Sequence, residues 1–216
     1  MVKLLFPILL VFAFFSCASL SRGTGSVPIE EPEYTEKDID PIKEIETAQK
    51  PELPEYIMGQ GKVSADKMAL FLVQNNSVID SNYAKTLAGF YLQEAFFEGV
   101  NHDIAFVQMC LETGYLRYGG DVKPEQYNFA GMGAVGNGEP GLSFPDPRTG
   151  VRAHIQHLKA YGSEEPLNRE LVNPRFRYVR RGAAPTYEGL AGTWAADRQY
   201  AVKINSILRR LYDFAF

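Results

Sequence analysis

The chain predicts a mainly α-helical domain, and three observations carry that expectation. Apolar residues recur at three- and four-residue spacing in five windows between residues 64 and 212. Capping residues bound most of those windows: Ser64, Asn101 or Asp103, and Asp197 at starts, and Gly99, Gly114 and Gly162 at ends. A length of 216 residues, 45% of them hydrophobic and 12% aromatic, suffices for one good core, so a single globular domain with appendages is expected.

The appendages come first. Lys3 precedes an apolar run from Leu4 to Phe15, followed by Ser16, Cys17, Ala18 and Ser19, the pattern of a signal-peptide hydrophobic region too short to span a bilayer. Residues 1–16 resemble a bacterial lipoprotein signal, after which Cys17 is lipidated and becomes the mature N-terminus. The alternative is a signal segment cut elsewhere, since Phe14 and Phe15 are larger than that pattern prefers. The resemblance implies a membrane partner reached through a lipid anchor, and a place in the cell envelope facing the periplasm or the cell surface. Several acyl chains on one residue anchor stably.

From 17 to 62 the composition turns to Pro, Glu, Ser and Gly, and five of the thirteen prolines fall between Pro28 and Pro54. Such a stretch buries too little apolar surface to fold, and as a coil it spans about 40 Å, so a tether is expected. Residues 28–56 carry ten acids and three bases, whereas 57–216 carry sixteen and seventeen. The net charge of -4 therefore comes from the tether, and the nearly neutral domain, residues 63–216, gives no sign of a nucleic-acid partner.

Within the domain, Ser64 opens a helix with Met68, Phe71 and Leu72 on one face. A second helix runs from Ser81 to Glu98 with an apolar stripe of Tyr83, Leu87, Phe90 and Tyr91. The third, with Ile104, Val107 and Leu111 at helical spacing, delivers Glu112 to its last turn before Gly114. A carboxylate there faces the negative end of the helix dipole, and Leu111 and Tyr115 stand where they desolvate it. Both effects favour the protonated form, which a general acid requires; the plain alternative is a surface residue ahead of a helix end. The residues downstream of Glu112 favour the acid. Tyr115, Tyr118, Tyr127 and Phe129 interleave with Gly119, Gly120, Gly131 and Gly133, and flat aromatic faces in glycine-bent loops beside a carboxylate suit a sugar chain. Cys110, on the same helix, is expected to be a buried, inert thiol.

Residues 131–147 are too rich in Gly and Pro for a helix and predict a loop or short hairpin. A fourth helix is expected over Thr149–Tyr161, with Val151, Ile155 and Leu158 inward. It carries His154 and His157, but the third histidine is the distant His102 and no cysteine pair exists, so no metal site is expected. One of these histidines lies near a cleft or serves packing. The last helix is expected from Arg198 to Tyr212, capped by Asp197, with Ala201, Ile204, Ile207, Leu208 and Leu211 buried.

Glu112, Thr113 and Gly114, followed by Tyr127, Asn128, Phe129, Ala130 and Gly131, resemble the N-acetylglucosaminidase family of bacterial wall hydrolases, glycoside hydrolase family 73. Ser143–Tyr161 resembles one branch of it, and Trp194, Ala195, Ala196, Asp197 and Tyr200 resemble its closing motif. Trp194 stands where the family more often has Tyr, and Arg198 where it has Pro. The resemblance spans roughly 64–214 and implies a lysozyme-like helical lobe with a short second lobe. It also implies peptidoglycan glycan strands as partner, cleavage after N-acetylglucosamine with Glu112 as general acid, and no cofactor. A second carboxylate, which the family often carries on its hairpin, has only Glu139 and Asp146 to supply it here, besides Asp121 and Glu125 earlier. Given the short lobe, the substrate's own 2-acetamido oxygen is the favoured partner for the charge at C1.

Tyr115, Tyr127, Phe129 and Trp194 are expected to grip flanking sugars, and Tyr200 to belong with them; Trp194, the only Trp, stacks on sugar or sits in the core. Asn128 fixes a loop or bonds the acetamido group. Arg175, Arg177, Arg180 and Arg181 form a solvated face or attract the carboxylates of wall peptides. A lytic transglycosylase and a non-catalytic wall-binding lipoprotein are the rival expectations, and nothing in the sequence indicates an oligomeric state.

Overall fold

A computed structural model describes residues 49–216 except 135 and 137. The expected signal segment, Cys17 and most of the tether lie outside the described residues. Five helices form the domain: α1 (Ala65–Asn75), α2 (Ser81–Glu98), α3 (His102–Glu112), α4 (Pro147–Gly162) and α5 (Tyr200–Ala215). The fold is mainly helical; among the described residues backbone pairing is limited to isolated bridges, and no helix is long and apolar enough to cross a membrane.

α3 is the axis. Burial runs all round it from His102 to Cys110, beyond the helically spaced Ile104 and Val107, because α2, α4 and α5 all pack against it. Burial pushes the Cys110 thiol up, away from nucleophile chemistry. Asn101 is the N-cap, its Oδ1 accepting the amides of Asp103 at 3.0 Å and Ile104 at 3.3 Å. That leaves the Asp103 carboxylate, fully buried, to accept from the Lys62 amide at 2.7 Å, the Val63 amide at 3.2 Å and the Tyr212 hydroxyl at 2.8 Å. One side chain thus ties α3 to the chain entering α1 and to α5.

This fastening corrects the tether's expected end at 62. Ile57 is fully buried, its amide bonds Pro185 O and its carbonyl accepts from Asn101 N, so the segment from about residue 50 lies along the domain. Composition hid this because a few apolar anchors suffice once a surface exists to receive them.

α2 and α4 are held in register by ion pairs on two buried carboxylates. Glu94 takes Arg148 at 2.6 Å and Arg152 at 2.8 Å, and Glu98 takes Lys159 at 3.0 Å. α4 begins two residues earlier than expected, at Pro147, because Asp146 caps it by accepting the Thr149 amide at 2.9 Å. α5 begins two residues later than expected. Asp197 does not cap it; its Oδ1 turns to the Gln199 amide at 2.8 Å and its Oδ2 to Lys203 at 2.7 Å, so the helix opens at Tyr200.

Candidate active site

The chain leaves α3 through an unusual turn. Gly114, Tyr115 and Leu116 are all left-handed, with φ of 57°, 58° and 60°, and Tyr118 follows at 56°. Non-glycine residues avoid this region at about 1–2 kcal/mol each, so something must hold them. Thr113 does: its hydroxyl donates to Met109 O at 2.7 Å and accepts the Leu116 amide at 2.9 Å, while Tyr118 N returns to Thr113 O at 2.8 Å. The turn ends α3 at Glu112 and brings Tyr118 and Asp121 round to the same cleft. That cleft, about 320 Å³, is lined by Glu112, Tyr118, Asp121, Asn128, Gly131 and Ala134 among others.

Glu112 is partly buried and asymmetric. Its Oε1 accepts from the Trp194 indole N–H at 3.0 Å and from the Tyr200 hydroxyl. Its Oε2 has no partner among the described residues and lies beside Gly131, where even a methyl group would stand 3.5 Å away. Burial raises the carboxyl above its ordinary range, and the hydrogen bonds from Tyr200 and Trp194 pull the other way. With Oε1 occupied by two donors, a proton on the group belongs on Oε2, which faces the cleft.

Behind Glu112 runs a buried relay. Gln108 Nε2 donates to the Tyr200 oxygen at 2.8 Å, His154 Nε2 lies 2.9 Å from Gln108 Oε1, and Tyr91 OH lies 2.9 Å from His154 Nδ1. A single set of directions satisfies every link. Tyr200 must donate to the carboxylate, so Gln108 donates to Tyr200, His154 carries its proton on Nε2, and Tyr91 donates to Nδ1. Burial pushes His154 down to about 3, aided by His157, so it stays neutral and the directions do not reverse. Sequence reasoning missed Gln108. Its signal was a polar residue four positions before Glu112, on the same face of an otherwise apolar helix.

The other expected site residues divide. Trp194 and Tyr200 converge on Glu112, and Trp194 packs against His157, Tyr161 and His154 at 4.9, 5.4 and 5.8 Å between ring centres. Phe129 is fully buried, edge-on to Tyr91, and presents no face to a sugar. Tyr115 turns to the α1–α5 side, packing near Phe71 and accepting from Arg210 at 2.9 Å. Tyr127, left-handed at φ 50°, offers its carbonyl to the first turn of α4, where Gly150 admits it; a Cβ there would collide at 2.0 Å. Asn128 spends its whole amide on the second lobe, Nδ2 donating to Met132 O at 2.9 Å and Leu142 O at 3.0 Å, and Oδ1 accepting from Met132 N.

Of the carboxylates, Asp146 is engaged as the α4 cap, where Thr149 holds it below the usual range. Glu139 is exposed at the base of the short 136–139 turn and does not line the cleft. Asp121, mentioned from the sequence but not chosen, does line it and also accepts the Gly138 amide at 3.1 Å. Among the described residues no three His, Cys, Asp or Glu gather in a way that would hold a metal ion.

A glycosidase needs a carboxyl of raised pKa beside a groove with aromatic walls; burial raises Glu112, Tyr118 lines its cleft and Trp194 bonds its Oε1. Comparison with known proteins agrees. Residues 88–213 match the glucosaminidase family, described as mannosyl-glycoprotein endo-beta-N-acetylglucosaminidase. An uncharacterized protein of Borreliella burgdorferi (strain ATCC 35210 / DSM 4680 / CIP 102532 / B31) is 42% identical over 174 residues, covering 80% of this chain and 85% of its own. No solved structure matches. On the family match and the arrangement around Glu112, the chain belongs to the glucosaminidase family of glycosidases.

Proposed function

We propose that this glycosidase is a peptidoglycan hydrolase that cleaves the glycan strand after N-acetylglucosamine, with Glu112 as general acid. The observation that carries the reading is the division of labour in the carboxyl group: Oε1 held by Trp194 and Tyr200, Oε2 bare and facing the cleft. Glu112 Oε2 delivers its proton to the oxygen leaving C1. As the C1–O bond breaks, Oε1 becomes more negative, and the Tyr200 hydroxyl and Trp194 N–H are already aimed at it. Tyr118 and Trp194 supply the ring faces that hold the flanking sugars. The positive charge at C1 is met by the substrate's own 2-acetamido oxygen, and water then opens that intermediate.

A second route is favoured by one observation, the presence of Asp121 in the cleft, where it would activate water directly. Replacing the N-acetyl group of a soluble substrate by N-trifluoroacetyl separates the two. A large loss of rate supports acetamido participation, and an Asp121→Asn variant as inactive as Glu112→Gln supports the direct route.

Residues 1–16 serve as a lipoprotein signal in this reading, Cys17 carries the lipid, and the residues from 17 to about 49 span from membrane to wall. The test of wall hydrolysis through Glu112 is clearing of a peptidoglycan suspension by the parent and by Glu112→Gln. Clearing by the parent alone supports the assignment; equal clearing by both, or none by either, overturns it.

A further inference from the structure

Tyr91 is fully buried in α2, its ring edge-on to Phe106 at 5.9 Å and to His154 at 5.7 Å between centres. Its hydroxyl makes one hydrogen bond among the described residues, to His154 Nδ1. The hydroxyl hydrogen needs an acceptor, because a buried O–H without one bears the whole cost of leaving water. His154 Nδ1 is that acceptor, so it has to be bare. Burial keeps the imidazole neutral, which leaves it one proton to place, and that proton goes to Nε2.

The direction imposed at Tyr91 travels forward to the carboxyl. His154 Nε2–H donates to Gln108 Oε1, which decides which end of the Gln108 amide faces α5. The Gln108 amino group then donates to the Tyr200 oxygen, and the Tyr200 hydrogen is left for Glu112 Oε1. The reversed chain satisfies every link but one. With the amide turned over, Gln108 Oε1 would accept the Tyr200 hydrogen, His154 would carry its proton on Nδ1, and the Tyr91 hydrogen would have no acceptor. At the other end the Tyr200 oxygen would meet Glu112 with a lone pair, drawing the acid's proton onto Oε1 and away from the cleft. His154 bears on the second donor too, its ring packed against Trp194 at 5.8 Å.

We propose that Tyr91 and His154 are positioning residues for the reaction at Glu112: through Gln108 they set the direction of the Tyr200 hydroxyl and so keep the acid's proton on the oxygen that faces the cleft. The proposal rests on Glu112 as general acid and deepens that reading. Neither residue lines the Glu112 cleft, and Tyr91 stands four hydrogen bonds from the carboxyl.

The test compares the full chain with its Tyr91→Phe, His154→Gln and His154→Leu variants. Tyr91→Phe keeps the ring and deletes the oxygen that sets the direction. His154→Gln keeps an N–H near the position of Nε2, and His154→Leu has none. On soluble glycan, Tyr91→Phe should lower kcat about three- to tenfold, the factor one ordinary hydrogen bond corresponds to, with KM unchanged and the alkaline limb moved upward. Tyr118 and Asp121, which also line the cleft, are the same in every variant. His154→Leu should lose more, and His154→Gln should recover most of the difference. Before substrate is added, 15N spectra of the labelled histidines should place the His154 proton on Nε2 in the parent. A parent with that proton on Nδ1, a Tyr91→Phe enzyme with the parent's kcat and pH profile, or a His154→Gln enzyme no better than a folded His154→Leu overturns the proposal and leaves Glu112 as general acid. If His154→Leu does not fold, Tyr91→Phe decides. No turnover by the parent overturns both.

Discussion

Tyr200→Phe removes one oxygen and with it the relay's contact with Glu112. A hydrogen bond to a charged acceptor is worth about 1.5–3 kcal/mol, more than one to the carbonyl oxygen of the protonated group, so on balance it favours the ionised carboxylate. Its loss lifts Glu112, already raised by burial, further above the ordinary carboxylate range. The general acid works protonated, so the alkaline limb of kcat/KM against pH moves upward. The plateau falls, because the carboxylate formed as the proton departs has lost the same donor; about ten- to a hundredfold is expected. The assay is kcat/KM on soluble glycan across the pH range, with Gln108→Leu alongside. That variant leaves the Tyr200 hydroxyl in place and should shift the limb less than Tyr200→Phe does. A lower plateau with an unmoved limb, or a limb moved downward, would refute the assignment of Tyr200 as the donor that stabilises ionised Glu112.

Three further outcomes rest on the same geometry. Glu112 has a folded-state pKa above its unfolded value of 4.5, so its contribution to stability is full below 4.5 and is lost as pH rises through the folded value. Glu112→Gln keeps an acceptor for Trp194 and Tyr200, so its melting temperature should exceed the parent's at pH 7 and converge with it near pH 4; a parent more stable at pH 7 speaks against a raised pKa. Gly131→Ala places a methyl group 3.5 Å from Oε2 at φ +61° and should cost more in kcat than in thermal stability, a ranking that denaturation curves beside kinetics will check. Asp103→Ala strands two backbone amides and the Tyr212 hydroxyl in the interior and should destabilise by about 2–4 kcal/mol, measured by urea unfolding.

Much of the helical frame was legible because it is written locally. Ser64, Asn101 and Gly99 mark helix ends through bonds to amides or carbonyls a few residues away, and Glu112 in the last turn of α3 comes from counting. Where local signals misled, a distant partner had claimed the residue. Phe129 and Tyr115 look alike in the sequence as aromatic loop residues, yet one fills the space beneath Tyr91 and the other lies over Phe71. Asp146 offered itself as a loop acid and proved to be a cap, which its position before Pro147 and Thr149 had allowed. The relay was least legible. Tyr91, Gln108, His154 and Tyr200 lie in four separate helices, and each in its own window is only a polar atom on an apolar face. Their pairing is set by the packing of α2, α4 and α5 around α3, which no single window contains.

The central claim is that Glu112 protonates the linkage after N-acetylglucosamine. Its most direct test is to digest purified peptidoglycan with the parent and with Glu112→Gln, reduce the new chain ends with borohydride and identify them by mass spectrometry. Reduced N-acetylglucosamine ends from the parent, absent with the variant, are the predicted result. Anhydro-muramic ends, or no new ends from the parent, would contradict it.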